Sequence, residues 1–204
     1  LHHGAFAVLK ALWDHLSIPE HFEDRHGSCN QKHDCTKIGF LLLCYIMFSA
    51  RERSPSKKSI TEWVTKTTLP RMLGIPVDDL YDNRFYRSMD HLLDVSSTLP
   101  RHIFEKALEE GLTTTDYVFY DLTSTYFEGD CAENAKKGYS RDNRPENKQV
   151  NWSLSVSREG FPIGFEVFPG NRHDVETVKP FLRTLKDRYG IEHAVFVGDR
   201  GMAS

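Results

Sequence analysis

Tyr117-Val118-Phe119-Tyr120-Asp121-Leu122-Thr123-Ser124-Thr125 is the stretch whose reading decides the fold. Aromatic and β-branched residues run up to a single carboxylate and then into hydroxyl side chains. Apolar residues fall on both faces of Tyr117 to Leu122, which predicts a strand covered on two sides. An acid placed where such a strand opens toward solvent is costly unless it has a task, such as holding a metal ion. Ala194-Val195-Phe196-Val197-Gly198-Asp199-Arg200-Gly201 repeats the arrangement near the end of the chain. The functional reading turns on whether Asp121 and Asp199 meet.

Between the two copies lies the clearest local pattern. Val150, Trp152, Leu154 and Val156 alternate with Asn151, Ser153, Ser155 and Ser157. A turn at Arg158-Glu159-Gly160 leads into Phe161, Ile163, Phe165 and Val167, so a β-hairpin with one apolar, core-facing side is predicted. Trp152 falls on that side and is expected in the core. Pro162 donates no ladder hydrogen bond and marks the second hairpin strand as an edge. After the Pro169-Gly170-Asn171 turn, a helix carries Val178, Phe181, Leu182, Leu185 and Tyr189. Pro180 fits only a first turn, which makes Thr177 a better N-cap than Asp174. Gly190 stops this helix, and His193 to Gly198 is the last strand. Thr123 to Lys148, in contrast, reads as a long polar loop whose basic and acidic residues balance.

A helical crossover from an edge hairpin allows the last strand to lie beside the first and parallel to it. The expected fold is α/β (α+β overall), a helical N-terminal region over 1–112 and a mixed sheet over 116–204 with strand order 3-2-1-4. Asp121 and Asp199 would then stand at the carboxyl ends of neighbouring strands, where open α/β sheets place their sites. Such strands are about 5 Å apart, a spacing that suits carboxylates sharing divalent cations.

The first half reads as helices. Phe6, Leu9, Trp13 and Leu16 recur at helical spacing, and Pro19 is expected to close that segment before a polar stretch from His21 to Asp34. Ile38 to Ala50 is a nearly continuous apolar run, well short of the roughly 20 residues of a membrane span, and predicts a buried helix. Ser59-Ile60-Thr61-Glu62 has the spacing of a capping box. Asp82 is a candidate cap for a helix with Phe85, Met89, Leu92 and Leu93. Pro100 opens another, through Phe104 and Leu108, that ends at Gly111. Arg51 to Arg71 is the basic region. Its Lys57, Lys58 and Lys66 suit either phosphate contacts or a solvated helix face. His26, Cys29, His33 and Cys35 cluster but lack the paired spacing of usual zinc sites.

The 204 residues are 39% hydrophobic and 27% charged, a globular balance. The net charge of −3 gives no global attraction to nucleic acid, so any such contact must be local. Four scattered cysteines and no signal peptide point to a reducing cytoplasm. With no initiator Met and a last strand just before Ser204, the chain reads as a piece of a longer polypeptide.

Tyr120-Asp121-Leu122-Thr123-Ser124-Thr125-Tyr126-Phe127-Glu128-Gly129 resembles the first catalytic motif of bacterial insertion-sequence transposases of the Asp-Asp-Glu type. Gly138 to Pro145 with Lys148-Gln149-Val150, Pro169-Gly170-Asn171 with Asp174 and Thr177, and Tyr81 to Arg87 are similar to further segments of that family. Gly198-Asp199-Arg200-Gly201-Met202 resembles its second catalytic motif. The resemblance implies an RNase H-like fold and double-stranded DNA, transposon ends and target, as the partner. It implies a homodimer in the synaptic complex, a bacterial, nucleoid-associated cytoplasmic location and no membrane. Asp121 and Asp199 are by resemblance two of three acidic ligands for Mg²⁺ or Mn²⁺. Paired metals would activate an attacking water or 3′-hydroxyl and stabilise the leaving oxygen of a phosphodiester. Arg200 is by resemblance either a DNA contact or a carboxylate partner. The family's third acid would lie beyond Ser204, so the piece alone is expected to be inert. Glu128, the nearest acid, follows the wrong element. The alternatives are a DNA-binding or partner-binding module without activity, and an RNase H-like nuclease that hydrolyses without joining.

Overall fold

The computed structural model describes residues 3–26, 32–49, 59–129, 133–139, 143–192 and 195–197. The chain divides into two units, residues 1–99 and 100–204.

The first unit is helical: α1 (His3–His15), α2 (Ile18–His26), α3 (Lys32–Ser49), α4 (Ile60–Thr65), α5 (Leu69–Leu73) and α6 (Asp82–Val95). α3 is the predicted buried helix. Ile38, Phe40, Leu41, Leu42, Cys44 and Tyr45 are buried along it, and burial pushes the Cys44 thiol up to about 12. Among the described residues no helix is long and apolar enough to cross a membrane. Edge-to-face aromatic pairs tie the helices together. Phe6 meets Phe48 at 5.2 Å, Trp13 meets Phe40 at 5.5 Å, and Tyr45 meets Trp63 at 5.3 Å. Such pairs add about 0.5–1.5 kcal/mol each beyond the area they bury.

Several local expectations need correction here. Pro19 does not close a helix but sits in the first turn of α2, where its missing N–H costs nothing; Ser17, at φ 51°, makes the break. α4 starts where expected, yet no capping box forms. The Ser59 hydroxyl bonds the Tyr45 hydroxyl, and Glu62 turns to Lys66. Asp82 is the first residue of α6 rather than its cap, and Oδ1 accepts a bond from Thr61 Oγ1 at 2.7 Å. Phe85 is buried, but Leu93 is 72% exposed because it falls off the core-facing stripe.

The second unit contains α7 (Leu99–Glu109), β1 (Tyr117–Tyr126), β2 (Gln149–Ser157), β3 (Pro162–Pro169), α8 (Asp174–Tyr189) and the short β4 (Val195–Val197). The sheet order is β3-β2-β1-β4. β1, β2 and β3 form an antiparallel meander, and β4 pairs in parallel with Tyr117–Phe119. α7 belongs with this unit, because Phe104 is part of its core; the helical unit therefore ends earlier than the expected boundary at 112.

The covered face of the sheet is the reverse of the one the hairpin pattern predicts. Gln149, Asn151, Ser153, Ser155 and Ser157 are buried, whereas Trp152 and Leu154 are 37% and 41% exposed. The apolar weight of the core comes instead from Val118, Tyr120 and Leu122 on β1, Ile163 and Phe168 on β3, and Phe104, Phe181 and Leu185 on the helices. Small hydroxyl side chains on the central β2 leave room for those rings. Ser155 satisfies itself by accepting from Gly164 N at 3.1 Å and donating to Gly164 O at 3.0 Å. Tyr117 and Phe119 correspondingly face outward at 37% and 39%, so β1 is covered on one side only.

α8 begins at Asp174, with His173 as N-cap, and not at Thr177. Asp174 and Glu176 favour that first turn electrostatically. The helix accepts Pro180 in its interior and keeps Thr177 buried inside it. Gly190, at φ 66°, ends the helix as predicted.

The long polar segment is tied to the sheet. β1 runs on to Tyr126, Lys136 exchanges backbone bonds with Gln149, and Phe127 N donates to Lys148 O at 2.8 Å. A Cβ at Gly138 would collide with the carbonyl of Gly170, and one at Gly170 with the backbone of Gln149. Gly138→Ala is therefore expected to lower stability by about 1–3 kcal/mol, because the opposing atoms are backbone. Urea unfolding checks it, with an unchanged midpoint as the contrary result.

Glu159 closes the other end of the hairpin. It accepts bonds from Ser157 Oγ at 2.9 Å, Thr114 Oγ1 at 3.2 Å and Thr114 N at 3.3 Å. Hydrogen bonds to its carboxylate, its own backbone amide's first and then Ser157's, lower its pKa. A lowered carboxyl pKa stabilises the fold above the unfolded value, and the contribution fades as pH falls through the folded value. Wild type should thus melt above Glu159→Gln near pH 7, and the gap should close below about pH 4.

Candidate active site

The site is built on the open face of the sheet in the second unit. Along β1 the burial alternates strictly from Tyr117 to Leu122, and Asp121 falls on the exposed side with Phe119. Asp121 is not at the end of its strand, as the sequence suggested, but in the middle of β1, opposite Leu154 of β2. The strand continues because Thr123, Ser124 and Thr125 find ladder partners in Trp152, Asn151 and Val150.

Asp121 lines an open hollow of about 430 Å³ with Phe119, Thr123, Trp152, Leu154 and Val197. Its Oδ1 accepts a bond from the backbone N–H of Leu122 at 2.8 Å, which fixes the carboxylate. The Trp152 indole N–H donates to Thr125 Oγ1 at 3.1 Å, so its ring flanks the hollow and is not a core residue. The arrangement is an oxygen donor in an apolar, solvent-open recess. A hard cation such as Mg²⁺ suits that donor. Among the described residues no three acidic, histidine or cysteine side chains group as a metal cluster.

Behind Asp121, the neighbouring Tyr120 points into the core. Its hydroxyl donates to Thr177 Oγ1 at 2.9 Å, and Thr177 donates on to Asp174 O at 2.6 Å. The Tyr120 ring packs against Phe181 with centroids 4.3 Å apart and planes tilted by 36°. This chain of contacts fixes the β1 segment that presents Asp121. Thr177 is therefore not the N-cap that the sequence suggested but a buried partner of Tyr120; the signal was its place four residues before Phe181 on the apolar stripe of the helix.

Of the other predicted site residues, Lys66 caps the C-terminus of α4 and pairs with Glu62 at 2.5 Å; the two side chains are 70% and 72% exposed. Asp199, Arg200, Lys57 and Lys58 lie outside the described residues. So do the side chains of His26, Cys29, His33 and Cys35. The structure thus positions Asp121 in the second unit and Lys66 in the first.

Residues 113–204 match the family described as transposase DDE domain. The family is one of transposases, enzymes of DNA transposition and recombination. Comparison with curated proteins and with solved structures found no match.

Tyr120→Phe removes the hydroxyl but keeps the ring, and should cost about 0.5–1.5 kcal/mol. Burial raises the Tyr120 pKa, so its stabilising effect is complete below about pH 10 and is lost as pH rises through the folded value. The variant should accordingly lose less stability than wild type in melts between pH 9 and 11. Parallel curves would contradict the assignment.

Proposed function

We propose that this chain supplies the first two acids of a metal-dependent transposase centre, Asp121 and Asp199, within an RNase H-like sheet. The observation that carries the reading is the register between β1 and β4, in which Phe119 stands opposite Val197. Asp121 and Asp199 each come two residues after that pair in the sequence, so continuation of the register past the described residues would set the two acids side by side. Neighbouring strands are about 4.8 Å apart, within reach of a shared divalent cation. The antiparallel meander with a parallel fourth strand reached through a helix supports the RNase H-like reading.

Asp121 fits the role of a metal ligand by its chemistry: an exposed carboxylate, oriented by the Leu122 amide, in a recess open to a substrate. Mg²⁺ or Mn²⁺ bound there would supply Lewis acidity to a scissile phosphodiester. The chain's own part is to hold the carboxylates at fixed spacing and to leave the face accessible to DNA. The reaction is cleavage and strand transfer of transposon ends, with two copies acting together in the synaptic complex. The helical region contributes sequence-independent affinity through Lys57, Lys58 and Lys66, and Arg200 lies next to the second acid to meet the DNA. The Glu62–Lys66 pair is too exposed to oppose this, since such pairs are worth about 1 kcal/mol or less.

Asp121→Asn and Asp199→Asn should each weaken Mn²⁺ binding, read by calorimetric titration, by about tenfold or more. In a polypeptide that also carries the third acid, each should reduce Mg²⁺-dependent cleavage of DNA carrying the element's ends by at least about a hundredfold, equivalent to roughly 3 kcal/mol. Wild-type metal affinity in both variants would sink the metal site.

A further inference from the structure

Tyr139 is the most exposed large hydrophobic side chain among the described residues of the second unit, at 87%. An aromatic ring left in solvent is ordinary on a slack loop, but this one stands on a firmly held backbone. The Gln149 side chain, buried to 1%, donates from Nε2 to Tyr139 O at 2.6 Å and to Gly170 O at 3.2 Å. The preceding Gly138 lies so close to Gly170 that no side chain fits, and Lys136 is bonded through both backbone groups to Gln149. Three stretches distant in sequence are thus locked together directly beneath the exposed ring.

Lys136 and Lys137 beside it are both exposed, and no ion pair engages either lysine among the described residues. Further along the segment the Arg144 guanidinium lies 6.0 Å from the ring of Tyr126, the residue paired with Gln149 in the sheet, and pairs with Glu146 at 3.8 Å. The corner therefore combines an aromatic face with cations on a fixed scaffold. Proteins that hold unpaired nucleotides use this combination: the ring stacks on a base and the cations take the backbone phosphates.

We propose that Tyr139, with Lys136 and Lys137, is a DNA contact in which the ring stacks on an unpaired or splayed base and the ammonium groups hold adjoining phosphates. The inference rests on the reading that this domain acts on DNA, and it adds where the strand is gripped. Gln149 pairs with Tyr126, five residues beyond Asp121 on β1. Five residues of strand span about 17 Å, or about five nucleotides at the spacing of a duplex strand. The contact is thus remote from the acids and acts by positioning the DNA.

The test uses the whole 204-residue chain in EDTA, with a fluorescein-labelled duplex carrying a single-stranded 3′ extension and a fully paired duplex as control. Tyr139→Ala should weaken binding to the extended duplex about tenfold, leave the paired duplex within about twofold, and melt like wild type. Tyr139→Phe should bind like wild type, because the ring and not the hydroxyl does the stacking. Lys136→Ala and Lys137→Ala should each flatten the plot of log affinity against log salt by about 0.7. Wild-type affinity in Tyr139→Ala, an equal loss on both DNAs, an equal loss in Tyr139→Phe, or no binding by the wild type at low salt would each overturn the inference. EDTA separates this result from the metal reading. A chain that binds Mn²⁺ but is indifferent to Tyr139 sinks the contact alone, and one that stacks DNA without binding Mn²⁺ sinks the metal site alone.

Discussion

The packing of α7 and α8 onto one face of the sheet carries the second unit, and it works because β2 offers that face almost no bulk. Ser153, Ser155 and Ser157 are buried to 1% or less, so the rings of Phe104, Phe181 and Tyr120 can occupy the space above the central strand. The arrangement is close enough that a Cβ at Gly164 would strike the Tyr189 hydroxyl. Two of the polar groups drawn into this layer are paired within it, Ser155 with Gly164 and Tyr120 with Thr177, which offsets the cost of burying them, whereas the buried Ser153 hydroxyl has no hydrogen-bond partner among the described residues. From this choice of face the position of Asp121 follows. With Val118, Tyr120 and Leu122 committed to the helices, strand alternation turns Asp121 to the open side.

The open side has its own character. Phe119, Trp152, Leu154, Phe165 and Val167 are each between 37% and 54% exposed, and they surround the acid with apolar surface. The backbone amide of Leu122 orients the group without neutralising it. Opposite the far end of β1, Gln149 of β2 gathers Lys136, Tyr139 and Gly170 into one knot and converts a polar segment into a fixed ledge. The acid thus stands at the middle of β1 and the ledge beside its end at Tyr126.

Much of this was legible in the residues. The helical first half, the buried Ile38 run, the hairpin with its edge strand and the αL stop at Gly190 all followed from periodicity and turn chemistry. What misled was the assumption that the apolar side of a hairpin is its buried side. That rule holds when the helices above bring small side chains; here they bring aromatic rings, and the small serines are the complementary partners. The N-cap at Thr177 failed for a related reason. Its hydroxyl was needed by Tyr120, 57 residues away, and no local rule carries that information.

By itself the sequence determined the elements, because helix and strand periods, prolines and glycines act over a few residues. It also determined the chemistry available, a carboxylate flanked by hydroxyls and a tyrosine beside lysines. It allowed β4 to lie against β1, but only the tertiary structure decided the register, with Phe119 opposite Val197. The structure alone also decided which side of the sheet is covered, that β1 runs past Asp121 to Tyr126, and that Gly138, Gln149 and Gly170 converge. The physical reason is the same in each case. These features depend on volumes and hydrogen-bond partners supplied by segments tens of residues away, and a local pattern records a residue's own preference but not what is packed against it.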